Sequence, residues 1–303
     1  MTDFAAFQQK IADLLPHIEL RFQELLSKHT SFRIGGAASV MAFPNSAQQL
    51  SDILKVCRQL DITPVILGAG TNVLAPDEGL DRLVICLKDC LDGMEHLDAT
   101  HIRVAAGVTM TRAAIFAANL GLSGLEFAHG IPGTVGGGVY MNAGAYGGEI
   151  CQVCCEVEVM DEAGDITVYS AEKMQFSYRH SILEESGGIV ISATFRLVPK
   201  EEAEIKATMK ELMAKRSASQ PLDLPSAGSA FKRPATGYAA AMIDQTGLRG
   251  FRVGDAAIST KHAGFAVNLG NATAKDVRTL LKQVADRVYE KFEVQLEPEI
   301  RIW

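Results

Sequence analysis

Apolar residues at Leu50, Ile53, Leu54, Cys57 and Leu60 recur at the spacing of one helical face, which predicts a helix over 45–60 with Asn45 or Ser46 as its N-cap. A short apolar run at 64–67 reads as a strand, and the glycine turn Gly68-Ala-Gly-Thr-Asn72 follows it. Further strand-like runs lie at 83–87, 102–106, 153–160, 166–169 and 189–195, and the polar stretch 161–165 predicts a hairpin. Helical periodicity returns at 111–120, 201–215, 238–246 and 274–292. The last of these opens on Thr273-Ala-Lys-Asp276, a capping-box pattern, and repeats apolar residues at Val277, Leu280, Leu281, Val284 and Val288. The interleaving of the two periods predicts an α+β fold. Near Pro199 a strand pattern gives way to a helix rich in Lys and Glu and then to the irregular stretch 217–228, so a domain boundary is expected there.

Composition narrows the class. A chain of 303 residues is long enough for roughly two domains of about 150 residues each. It is 48% hydrophobic and 21% charged, and its apolar runs fall short of the about 18 residues a membrane span needs. The formal charge of −7 argues against a nucleic-acid partner, although a local basic pocket for a phosphorylated small molecule is compatible with it. The first ten residues carry an acid early and show no basic segment followed by an apolar one, so a cytoplasmic, membrane-free protein is expected. Six cysteines are read as thiols. The group Cys151-Gln-Val-Cys154-Cys155 has the look of half a zinc site, but it runs into a strand pattern that would point Cys154 and Cys155 to opposite faces, so no metal is expected.

The glycines carry the strongest chemical signal. Ten of the 28 residues from 121 to 148 are glycine, against 27 in the whole chain. Each glycine loses extra backbone entropy on folding, so such density in an apolar-rich region implies close backbone approach to something. In His129-Gly-Ile-Pro-Gly-Thr-Val-Gly-Gly-Gly138, consecutive N–H groups could cradle a pyrophosphate, and a side chain at Gly133 or Gly136 would then fill the phosphate's space. The first loop, 68–72, fails the G-x-G-x-x-G pattern, because Val73 stands at the sixth position and Pro76 follows where a helix should begin. No G-x-x-x-x-G-K-[ST] occurs, so neither a Rossmann nor a P-loop reading stands. Two glycine loops about sixty residues apart could instead wrap one long dinucleotide; each could also be an ordinary tight turn.

These residues resemble a known family, the UDP-N-acetylenolpyruvoylglucosamine reductases. The matching stretches are Thr30-Ser-Phe-Arg-Ile-Gly-Gly36, Leu67-Gly-Ala-Gly-Thr-Asn72, the run from Gly130 to Gly148, Tyr178-Arg179, Pro225-Ser-Ala-Gly-Ser-Ala-Phe-Lys232 and Lys261-His-Ala-Gly-Phe265. The resemblance implies a two-lobed FAD-binding domain of the vanillyl-alcohol oxidase type in residues 1–200, with lobes of about 1–75 and 76–200. A C-terminal α/β substrate-binding domain, 201–303, would follow, its last residues returning to the active site. The length is that of the shorter, type II form. The chain departs from the family pattern at Ala69, Thr71, Gly138 and Arg233, and the last departure puts one nucleotide contact in question.

The activity so implied is NADPH-dependent reduction of an enolpyruvyl ether on a UDP-sugar by a monomer in peptidoglycan precursor synthesis. FAD and NADPH are the cofactors implied. FAD is expected to be non-covalent, although His129 makes a tether conceivable. Its contacts would be Gly68, Ala69, Gly70, Thr71, Asn72, Gly130, Ile131, Pro132, Gly133, Thr134, Gly136, Gly137, Asn142, Ala143 and Gly144. By motif match the catalytic residues are Arg179, Ser229 and Glu299, with Glu297 as the local alternative acid. A guanidinium grips a carboxylate bidentately and stays charged. A serine hydroxyl is a weak acid and needs nearby charge or a relay, for which Lys232 or water is available. Tyr178, Lys232, Arg233 and His262 are the substrate-side candidates. Two rivals remain at this stage: an oxidase of the same fold, which has no use for an enolate proton donor, and a non-catalytic nucleotide-binding module, which would not need Arg179, Ser229 and Glu299 together.

Overall fold

The computed structural model describes residues 4–303, which form two compact units. The first comprises residues 1–22, 40–69 and 81–214, of which 4 onward are described, and the second comprises 23–39, 70–80 and 215–303. Two of the boundaries are informative about the sequence. One falls inside the first glycine loop, between Ala69 and Gly70, and another inside the helix Glu202–Ser219.

In the first unit a five-stranded antiparallel sheet runs in the order Ile166–Ser170, Cys154–Met160, Ile189–Arg196, His101–Ala105, Met94–His96. Its central strand, Ile189–Arg196, has seven buried residues followed by one exposed, the signature of a strand covered on both faces. The edge strand Ile166–Ser170 leaves Ile166 and Val168 about half exposed and joins its neighbour through the expected hairpin, closed by Asp161 N–H donating to the Asp165 carbonyl at 3.0 Å. A second sheet orders Glu19–Leu25, Ala37–Phe43, Leu80–Cys86 and Val65–Leu67, the last two parallel. The helix Ala47–Gln59 packs Leu50, Ile53, Leu54, Val56 and Cys57 into the unit's core, and Ser46 caps it by accepting from Gln49 N–H.

The second unit holds an antiparallel sheet in the order Ser226–Ser229, Phe265–Asn268, Ala256–Ile258, Arg252–Val253. Against it lies the helix Ala274–Phe292, which buries Val277, Leu280, Leu281, Val284 and Val288 as the period-3.6 pattern predicts. Its start is fixed twice over. Thr273 and Asp276 form the capping box, and the Asp77 carboxylate accepts from the amides of Ala274 and Lys275 at 2.7 and 3.1 Å. Among the described residues no helix is long and apolar enough to cross a membrane.

Two elements differ from expectation. The run Val135–Tyr140 is a short helix although three of its six residues are glycine. Packing selects those glycines against helix propensity, since a Cβ on Gly138 would stand 2.7 Å from the Met110 sulfur. The alternation of Leu296 and Ile300 around Pro298 predicts a short edge strand, but residues 296–300 form only an isolated bridge between Phe231 and Pro298; the strand proper is Arg301–Ile302, parallel to Val73–Leu74.

Candidate active site

The second loop is built by its own backbone before any ligand is considered. Val135 N–H donates to the Val108 carbonyl at 2.8 Å, Gly136 N–H to the Ala106 carbonyl at 2.9 Å, and Gly138 N–H to the Thr134 carbonyl at 2.8 Å. Thr134, only 2% exposed, accepts weakly from Gly137 N–H at 3.4 Å and also packs on Gly68 of the first loop, whose Cβ would stand 2.7 Å from the threonine oxygen. The expectation that a side chain at Gly136 would fill a phosphate's space is corrected here. A Cβ on Gly136 would meet Ala106 Cβ at 2.9 Å, so protein fills that space. Gly137 is different: it is exposed, and its Cβ would meet only Thr134 Oγ1, at 3.6 Å. Gly133 and Gly70 hold left-handed φ values of 135° and 61°, which other residues adopt at a cost. Nδ1 of His129 is buried without a partner.

In the second unit, Gly70 lies so close to residues 29–30 that a Cβ would stand 2.1 Å from the His29 carbonyl oxygen. Ser31 joins this loop to the serine-bearing strand. Its N–H donates to the Gly70 carbonyl at 3.1 Å and its hydroxyl to the Ser226 carbonyl at 2.6 Å. Ser31 lies in the family-like stretch 30–36, but a serine in a loop carries no local sign of what it will meet.

Ser229 ends the strand Ser226–Ser229, opposite Phe265, and Gly228 before it has a φ of 78° at a register shift. That left-handed residue breaks the strand's alternation and re-aims the serine. The chain's last segment lies along the other side: Glu299 N–H donates to the Ala230 carbonyl at 3.0 Å, and Lys232 N–H to the Glu297 carbonyl at 2.8 Å. Ser229 and Glu299, seventy residues apart in sequence, are thus one residue from facing each other. The same pairing separates the two glutamates. Glu297 is largely exposed and its carboxylate lies 3.5 Å from the exposed Lys232 ammonium, whereas Glu299 is half-buried.

His262 has its ring edge-on to Phe265, and its Nδ1 accepts from Gly264 N–H at 3.1 Å, which fixes the neutral tautomer with the proton on Nε2. Burial, with the nearby Arg249 charge, holds its pKa below the ordinary histidine value. Arg233 stacks over the Tyr238 ring at 4.4 Å on the surface. In the first unit, Tyr178 and Arg179 form the tip of a tight turn whose ends, Ser177 and His180, exchange backbone hydrogen bonds of 3.1 and 3.2 Å. Arg179 has a φ of 57°, a strained value of the kind that clusters at functional sites. Ser229 and Glu299 therefore share one unit, and Arg179 belongs to the other.

Along the strand Cys154–Met160, Cys154 is buried and Cys155 half-buried; burial pushes the Cys154 thiol up to about 12, far from a reactive thiolate. No group of three or more His, Cys, Asp or Glu suited to a metal occurs among the described residues.

Comparison with known proteins agrees with this geometry at both ends of the chain. The FAD binding domain family matches residues 38–170, and the C-terminal domain of UDP-N-acetylenolpyruvoylglucosamine reductase matches 220–303. The UDP-N-acetylenolpyruvoylglucosamine reductase of Agathobacter rectalis is 45% identical over 98% of this chain and 98% of its own length. That of Caldanaerobacter subterraneus subsp. tengcongensis is 44% identical over 97% and 96%. Among solved structures, the UDP-N-acetylenolpyruvylglucosamine reductase of Thermus caldophilus superposes with a TM-score of 0.80 at 36% identity, covering 94% of this chain and 99% of that one. The 4-ethylphenol oxidase of Gulosibacter chungangensis is similar in fold alone, with a TM-score of 0.50 at 14% identity over 97% and 65% of the two chains.

Proposed function

The chain belongs to the UDP-N-acetylenolpyruvoylglucosamine reductases, FAD-dependent oxidoreductases of peptidoglycan precursor synthesis, and from that premise we propose how its residues divide the reaction. The substrate is the enolpyruvyl ether of UDP-N-acetylglucosamine, the product UDP-N-acetylmuramate, and the reductant NADPH. Bound FAD would take two electrons from NADPH and deliver them to the methylene carbon of the enolpyruvyl group.

Flavin binding is assigned to residues 1–200 and sugar-nucleotide binding to 201–303. The open space in front of Gly137, beside the packed pair Gly68 and Thr134, would admit a pyrophosphate, and the glycine-loop residues from 68–72 and 130–137 would hold it. Charge then develops on the substrate carbon next to the methylene and on its carboxylate. Arg179 holds that carboxylate with a planar, permanently charged fork. Ser229 gives its hydroxyl proton to the carbon, and Glu299 holds or returns that proton, which answers the serine's weakness as an acid. Lys232, Tyr178, Arg233 and His262 are assigned to the nucleotide and sugar, His262 as an Nε2–H donor. The enzyme is read as a cytoplasmic monomer without nucleic-acid partners, a state that sedimentation would check.

The observation that carries this reading is the Glu299 N–H to Ala230 carbonyl bond, which lays the chain's last segment against the serine strand. Anaerobic NADPH should bleach the flavin band, and only the enolpyruvyl nucleotide should restore it. Reoxidation by oxygen alone at a comparable rate would favour the oxidase reading.

A further inference from the structure

Asn142 is 1% exposed, and its side-chain amide makes three hydrogen bonds. Nδ2 donates to the Ser177 carbonyl at 2.9 Å and to Glu149 Oε2 at 3.0 Å, while Oδ1 accepts from Cys151 N–H at 2.9 Å. Its φ is 41°, a left-handed value that asparagine tolerates better than most residues. Ser177 is the first residue of the four-residue turn that carries Arg179, and Arg179 Nη2 donates to the Gly144 carbonyl at 3.4 Å. Gly144 in turn pairs with Glu149 across the short hairpin of 144–149. These bonds close a ring of contacts in which Asn142 ties the base of the arginine turn to the segment that the arginine head also touches.

We propose that Asn142 is a positioning residue for Arg179, and that Glu149 orients its amide. This rests on the reading of Arg179 as the holder of the substrate carboxylate. The residue type follows from the bonding: an amide donates twice and accepts once at this point, whereas an aspartate of the same shape would set a second carboxylate against Glu149 and a bare acceptor against the Ser177 carbonyl. The family resemblance places Asn142 among the flavin contacts. Its geometry gives it a task on the substrate side.

The test uses flavin-loaded enzyme and stopped-flow traces of both half-reactions. Asn142→Asp should keep its flavin and its rate of reduction by NADPH, slow reoxidation by the enolpyruvyl nucleotide by about tenfold or more, and raise the half-saturating nucleotide concentration. In an Arg179→Ala background the same change should add less than about twofold, because the turn it places no longer carries a guanidinium. If Asn142→Asp does not fold, Glu149→Ala takes its place, with Glu149→Gln, which keeps the accepting oxygen, restoring the rate. Loss of flavin, equal slowing of both half-reactions, or an undiminished effect in the Arg179→Ala background would overturn the assignment of Asn142. Arg179→Ala that leaves reoxidation untouched would instead overturn the reading of Arg179 on which it rests.

Discussion

Gly136 donates its N–H to the Ala106 carbonyl at 2.9 Å, and a Cβ on Gly136 would stand at the same 2.9 Å from the Ala106 methyl carbon. Its neighbour Gly137 would meet only Thr134 Oγ1, at 3.6 Å. Two adjacent glycines in one loop therefore stand in different surroundings, one packed against the protein and one facing open space.

That difference separates cofactor loss from unfolding. Gly136→Val forces a branched side chain against Ala106 and should destabilise the fold by about 1–3 kcal/mol or more. Gly137→Val meets no such obstacle and should fold, yet purify without its yellow colour, since its side chain would take the space proposed for the pyrophosphate. Absorbance at the flavin bands, paired with a thermal melt of each apoprotein, reads both effects. A yellow, active Gly137→Val enzyme would remove this loop from the cofactor site.

The helix Ala274–Phe292 depends on a residue nearly two hundred positions away. Asp77 satisfies two first-turn amides that would otherwise have no partner, and its charge complements the helix's positive end. Asp77→Ala should cost about 1–2 kcal/mol, seen as a lower melting temperature at unchanged flavin content, and Asp77→Asn should recover part of it. An unchanged melt for Asp77→Ala would show that water caps this end equally well.

How much of this was legible beforehand differs by element. The period of Val277, Leu280, Leu281, Val284 and Val288 and the box Thr273/Asp276 lie within one segment, so the helix they describe begins and ends where the pattern says. Asp77 as its second cap was not legible, since nothing local to Asp77 names its partner. The same holds for Ser229 and Glu299. Family motifs supplied both, but their proximity depends on the backbone pairing of 230–232 with 297–299, a tertiary register with no local signature. The difference in exposure between Glu297 and Glu299 is likewise concealed by their symmetric placement around Pro298. The helix Val135–Tyr140 was hidden because glycine content argues against a helix until Met110 and Ala106 are known to crowd it.

The folded protein should lose stability in mild acid through His262. Its native pKa is depressed by burial and by the Arg249 charge, so near pH 6.5 the unfolded chain binds more protons at this site than the folded one. The contribution of the neutral ring is complete above the unfolded value and is lost as pH falls through the window between that value and the lower native one. Protonation would also place a second donor against Gly264 N–H. His262→Asn keeps an acceptor near the Nδ1 position without the titration. Between pH 7.5 and 5.5 the melting temperature should fall more for the parent protein than for His262→Asn, and equal falls would assign the acid sensitivity to other groups.

The division of labour between half-reactions gives the sharpest test of the site. Protonation at carbon follows delivery of electrons to the substrate, so the residue responsible has no part in the reduction of FAD by NADPH. Ser229→Ala should leave that reduction nearly intact and slow reoxidation by the enolpyruvyl nucleotide by about 10² to 10⁴-fold, roughly 3 to 5.5 kcal/mol in the barrier. Ser229→Cys should restore part of the loss, because a thiol of pKa about 8.5 is a stronger acid than an aliphatic hydroxyl. Glu299→Gln should share the bias toward the oxidative half-reaction, whereas Glu297→Gln, altering a solvent-facing partner of Lys232, should change it little. Arg179→Lys should add weaker nucleotide binding through loss of the two-pronged grip. If Ser229→Ala slowed both half-reactions alike, the serine would be acting on the placement of FAD or nicotinamide, and the proton would have to come from another group beside the last segment, with Glu299 the first to examine.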